Sequence, residues 1–146
     1  MADIEKRLER LEDRANIADL IASYGPLADR GAAHELAALW TEDGEYHVGG
    51  FGIARGREEI AALITSRTHQ DLMKQGCAHV LSPHTIVIDG SSAVATGYST
   101  VYRTQDYCLE AWRVSRNRWE LERGNDGKWL VTRRINSPIT PGEAAS

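Results

Sequence analysis

The run CAHVLSPHTIVIDGSSAVATGYSTVYRTQ, residues 77–105, decides the fold. Its recurring Val, Ile, Thr and Tyr read as extended chain, and Asp89-Gly90 marks a turn between two strands. Working outward toward the C-terminus, more strand signals follow. Residues 106–116 and 118–122 read as strands on either side of a polar SRNR, and the GNDGKW turn leads into another strand over 129–135. Toward the N-terminus the periodicity becomes helical. Residues 3–23 place Ile4, Leu8, Leu11, Ile17, Leu20 and Ile21 on an apolar stripe. A short helix over 33–40 ends at Asp43-Gly44, a turn into an early strand over 45–48 whose hairpin tip is GGFG. A third helix spans 57–74, with Gly76 at its C-terminal cap.

Helices followed by strands define an α+β domain. The expected architecture is a cone-shaped barrel: a strongly curved antiparallel or mixed sheet wrapped around about three N-terminal helices and enclosing an apolar cavity, the natural seat for a small ligand. The 146 residues fit a single domain over 1–146, with residues 1–10 as a helical extension and 137–146 as a C-terminal arm.

Composition limits the function classes. Hydrophobic residues make up 42% and charged residues 26%, as in ordinary globular proteins. A net charge of −4 argues against a nucleic-acid binder, which needs a basic face to displace counterions. No run reaches membrane-spanning length and no apolar leader opens the chain, so a cytoplasmic protein is expected. Cys77 and Cys108 form no disulfide framework. The five histidines, His34, His47, His69, His79 and His84, lack metal-ligand spacing and no phosphate-cradling glycine loop is present, so neither a metal nor a cofactor is expected. His84, next to Pro83, reads as a loop or bulge residue. Trp112 and Trp119 are expected on an exposed face of the curved sheet, an apolar patch that suits an oligomer interface.

Acid–base chemistry is what the remaining residues suit. In SYGPLADRG, residues 23–31, Asp29 stands five residues after Tyr24. A sheet wrapped over the first helix could bring Asp29 to His79. The carboxylate would then fix the imidazole tautomer and stabilise the imidazolium that forms after proton abstraction. Tyr24 could hydrogen-bond a substrate oxygen or a leaving group, although five helical residues rotate the chain enough to part it from Asp29's face. Pro26 offers a bend between them. Arg133 and Arg134 point to opposite faces of the last strand, so one of them can face the cavity and hold an anion. Taken singly, each of these residues also has a bland reading: a helix-end Asp, a strand-edge His, a core Tyr, a surface Arg.

The stretches IADLIASYGPLADRGAAHELAALWTEDGEYHV, CAHVLSPHTIVIDGSSAVATGYSTVY and RWELERGNDGKWLVTRRINSPI together resemble the SnoaL-like branch of the nuclear-transport-factor-two-like superfamily over about residues 10–138. The likeness is greatest to the group of scytalone dehydratase, hexachlorocyclohexane dehydrochlorinase and bile-acid 7α-dehydratase. It implies a cofactor-free Asp–His pair at Asp29 and His79, a tyrosine at Tyr24 as in the bile-acid enzyme, and the dehydrochlorinase's strand arginine at Arg134. It also implies a homo-oligomer, trimer or dimer, and a small apolar, aromatic or alicyclic ligand. Arg103 stands where the bile-acid enzyme carries an acid, so the substrate pocket does not carry over. A steroid-isomerase pattern would need an aspartate on the first strand, where GEYHVGG places His47 instead; His47 becomes a candidate for substrate binding. The expected function is a lyase of the dehydratase or dehydrohalogenase type. The alternatives are an isomerase or cyclase using the same pocket, and a non-catalytic module that binds a small ligand or oligomerises.

Overall fold

A computed structural model describes residues 2–139. Helix α1 (Ala2–Asp29) and the short α2 (Ala33–Ala37) precede β1 (Trp40–Val48) and β2 (Gly52–Arg55). Helices α3 (Gly56–Thr65) and α4 (Arg67–Gln75) follow, then β3 (Cys77–Leu81), β4 (Thr85–Asp89), β5 (Ser92–Gln105), β6 (Cys108–Arg123) and β7 (Trp129–Pro138). The strands form a seven-stranded sheet in the order β2-β1-β7-β6-β5-β3, with β4 also on β5. The β1–β7 pair is parallel and the others antiparallel. Register shifts in the β1–β7, β5–β6 and β6–β7 pairs add the bends that curve a sheet over helices. The α+β expectation holds, but the sheet stays open rather than closing as a barrel.

The core lies between the sheet's concave face and the helices. Ile17, Ile21, Tyr24 and Ala28 of α1 pack there with Trp40, Ile60, Trp119, Leu121 and Val131. Trp119 is wholly buried and Trp112 lines the cavity, so the expected exposed pair of tryptophans does not exist. Trp119 falls on an inward position of β6, and Trp112 is the unpaired residue at the β5–β6 register shift, which breaks the alternation between them.

Several element boundaries differ from expectation for local reasons. The first helix runs on through Pro26 to Asp29. The second ends at Ala37, and Trp40 already belongs to β1, so Asp43-Gly44 lies within a strand at a register shift and not at a turn before it. The third is two helices, broken at Ser66, whose extended backbone and Oγ cap α4 by accepting from His69 N–H. The first long strand divides at 82–84 into β3 and β4. The SRNR segment does not interrupt β6: Ser115 and Asn117 face inward and are buried, while Arg116 and Arg118 face outward. Residues 137–139 of the expected C-terminal arm continue β7 and its end, and 140–146 lie outside the described residues.

Candidate active site

Asp29 is the last residue of α1 and His79 the central residue of β3. Gly25 brings these two elements together: a Cβ at that position would collide with the His79 carbonyl oxygen. Glycine there lets the helix lie directly on the strand and carries Asp29 to its start. The Asp29 carboxylate accepts from His79 N–H at 3.0 and 3.2 Å, from His79 Nδ1–H at 2.7 Å and from the Cys77 thiol at 3.7 Å. The carboxylate therefore gathers backbone, ring and thiol donors, and it fixes the imidazole with Nδ1 protonated. His79 lines the cavity, and its remaining ring nitrogen, Nε2, carries the lone pair. Burial, then the adjacent Asp29, pushes the Cys77 thiol up to about 11, so it remains a donor.

Asp29, Cys77 and His79 also place an oxygen, a sulfur and a nitrogen within 4.8 Å of one another, a mixed donor set a divalent ion could use. In this structure those same atoms hydrogen-bond each other.

The cavity has a volume of about 250 Å³ and a mostly apolar lining that includes Leu63, Ile64, Leu72 and Val101. Tyr24 and Arg134 share its wall with His79. The Tyr24 ring lies edge-on to His79 with centroids 6.3 Å apart. Burial, reinforced by the neighbouring Tyr46, raises its phenol far above the ordinary tyrosine range, so Tyr24 stays a protonated donor.

Arg134 is 1% exposed, and its guanidinium sits over the rings of Tyr24, Tyr46 and Trp119 at 4.2, 4.6 and 4.1 Å. Its Nε–H donates to Asn117 Oδ1 at 2.9 Å. Asn117 is fixed in turn by the Asn136 side chain at 3.1 Å and by Ser99 Oγ at 2.7 Å. Aromatic faces and an amide thus solvate this cation. Among the described residues, its Nη1 and the cavity-lining Ser115 Oγ are buried with no hydrogen bond. Arg133, one residue earlier, points outward to Glu120, so the two arginines divide between the faces as their spacing requires.

Of the residues singled out from sequence, Tyr24, His79 and Arg134 line one cavity, and Asp29 hydrogen-bonds the ring of His79. His47 does not. It pairs with Glu45 at 2.7 Å beside the sheet, while its neighbours Tyr46 and Val48 line the cavity, so strand alternation turns it away. His47 is therefore not a wall residue of this cavity, contrary to the expectation that it binds substrate.

Sequence reasoning passes over His69. On α4 it lines the cavity, its ring 5.5 Å from that of His79, and its Nε2–H donates to the Ala28 carbonyl at 2.7 Å. Burial lowers its pKa against the opposing pull of that hydrogen bond. The available signal is its position three residues before Leu72, on the inward side of an amphipathic helix.

Fold and site together define a class: small α+β domains in which helices close the concave face of a curved mixed sheet over an apolar pocket. The profile of the SnoaL-like domain matches residues 9–135, and the chain belongs to that family. It is similar, at 47% identity and a TM-score of 0.95, to an NTF2-like protein with a cystatin-like fold from Novosphingobium aromaticivorans, covering 99% of this chain and 94% of that one. A Catenulispora acidiphila protein in complex with S-DNPA is 25% identical, with a TM-score of 0.75 and coverage of 88% and 94%. A Mycobacterium tuberculosis protein described as of unknown function, Rv3472, shares the fold at 18% identity, with a TM-score of 0.81 and coverage of 94% and 79%. A search of curated proteins finds no match.

Proposed function

We propose that this protein is a cofactor-independent lyase that eliminates water or a halide from a small, mostly apolar ring compound. The observation that carries this reading is the Asp29–His79 pair on the wall of an apolar cavity, with Nδ1 engaged by the carboxylate. His79 Nε2 takes a proton from a substrate carbon. The electron pair left behind forms the new double bond as the bond to the leaving group breaks. Asp29 stabilises the imidazolium. Tyr24, a protonated donor, and Arg134, a cation with an unused N–H, receive the developing negative charge. With hydroxide as leaving group the proton on His79 completes a water molecule; with halide it passes to solvent.

The test is incubation with a panel of hydroxylated and halogenated cyclic compounds in deuterated water, followed by NMR and mass spectrometry. Elimination or solvent exchange is expected in the native chain, with a fall of about 10²–10⁴-fold in His79→Ala and a comparable loss in Asp29→Asn. The second reading, a non-catalytic pocket for a small apolar ligand, is favoured by the Catenulispora acidiphila relative being held in complex with S-DNPA. It requires saturable binding without turnover, unchanged by His79→Ala.

A further inference from the structure

Helix α1 has two apolar faces, and the chain itself uses one of them. Ile17, Ile21, Tyr24 and Ala28 are buried against the sheet. A second set, Ile4, Leu8, Leu11, Ala15, Ala18 and Ala22, is exposed along its whole length. Its three large members are 63, 54 and 64% exposed. On a helical wheel this second set lies roughly 130° from the buried one. Ile4, Leu8 and Leu11 therefore do not share a stripe with Ile17 and Ile21, as their helical spacing alone suggests. They start another, whose members are spaced alternately by four and three residues, the repeat of a coiled-coil seam.

The charges beside this seam say what covers it. In heptad register with Leu8 and Ala15 at the a positions and Ile4, Leu11 and Ala18 at d, Glu5, Glu12 and Asp19 fall at e, and Arg7 and Arg14 fall at g. Arg14 also donates to the Ile86 carbonyl. When two copies pair in parallel, a g residue meets the partner's e residue of the next heptad. Arg7 then meets Glu12 of the partner subunit, twice over by symmetry. An antiparallel pair would set acid against acid along one flank and arginine against arginine along the other.

We infer that α1 pairs in parallel with α1 of a second copy of this chain through the Ile4–Ala22 face. The buried face turns away from the seam, so the two domains stand on its outer sides. Leu and Ile fill the seam near the N-terminus, and the three alanines permit close helix approach where each helix bears its domain.

Sedimentation velocity over a micromolar concentration series tests this, with the native chain beside Leu8→Glu/Leu11→Glu. A mass of about two chains is expected for the native protein, with association weakened by about a hundredfold or more in the variant and its circular dichroism preserved. Ile4→Cys in a Cys108→Ser background, mildly oxidised, is expected to cross-link to itself, because parallel pairing sets each residue opposite its own copy. A native chain that stays monomeric, or an oligomer indifferent to the double substitution, overturns the inference. So does an associating Ile4→Cys chain that fails to cross-link.

Discussion

Arg134 is a buried cation whose demand for partners is met only in part. A guanidinium withdrawn from water costs several kcal/mol unless its hydrogen-bonding groups and charge find partners. Three ring faces within 4.6 Å and one amide oxygen meet part of that demand, and Nη1 is left without a partner in a side chain that lines the cavity. An electron-rich atom on a bound molecule would satisfy it. Stability and ligand recognition thus pull apart at this position. Replacing a buried ion pair with apolar side chains of similar volume is often neutral or stabilising, and among the described residues Arg134 has no ion-pair partner whose charge its removal would strand. Arg134→Met is accordingly expected to melt at or above the native temperature. The same change should weaken binding or turnover of oxygen- or halogen-bearing ligands by about 10–100-fold, the worth of a charged hydrogen bond. Thermal denaturation and ligand titration on one preparation check both halves. A variant that melts much lower and binds normally would make Arg134 a structural residue.

At the scale of elements, the site depends on how closely α1 lies on β3. Gly25 is what permits it, since a methyl group there runs into the His79 carbonyl and one of the two elements must move. Gly25→Ala is expected to cost about 1–3 kcal/mol as an overpacked contact. It should also lengthen the Asp29–His79 contact, visible as a changed His79 ring resonance in NMR, with turnover lost although the chain still folds. The requirement is hidden in the sequence, because Gly25 sits inside a helical pattern where glycine reads only as a weakness. The Asp29–His79 pairing itself is legible, since a carboxylate at a helix end and a histidine early in a strand suffice once a sheet wraps a helix. His47 is suggested by likeness to a strand aspartate, but Trp40 and Tyr46 are buried and Tyr46 and Val48 line the cavity, so alternation along β1 turns His47 to the other face. The SRNR segment misleads for a related reason. Its Ser115 and Asn117 are polar yet inward, and Asn117 is there to hold Arg134, a demand set by β7 and not by β6. Ser66 splits an expected single helix because a side-chain cap competes locally with helix continuation.

On the scale of the whole molecule, two partly buried histidines join separate parts of the chain in their neutral form. His69 on α4 donates to the end of α1 through Ala28. His84, in the loop between β3 and β4, donates from Nδ1 to the Ser82 carbonyl at 2.7 Å and accepts at Nε2 from Trp119 Nε1–H at 3.2 Å. Protonating His84 removes that acceptor. Burial, the largest cause at each, lowers both pKa values below 6.5; His79 adds to the effect at His69 and Arg134 at His84, while the backbone hydrogen bonds, and Asp29 at His69, pull the other way. As pH falls through 6.5 the unfolded chain takes up protons that the folded chain resists, so the unfolded state is favoured. The stability these groups supply is complete above 6.5 and is lost as pH drops toward their folded values. The melting temperature is therefore expected to hold steady from pH 8 to about 7 and to decline toward about pH 5. Because a chain that associates melts at a concentration-dependent temperature, the series must be run at one fixed concentration. His84→Leu removes one titrating group and should flatten the acid limb while lowering the plateau through the lost indole acceptor. An acid limb of unchanged depth in that variant would remove His84 from this account and leave His69, between the end of α1 and His79, to carry the pH dependence.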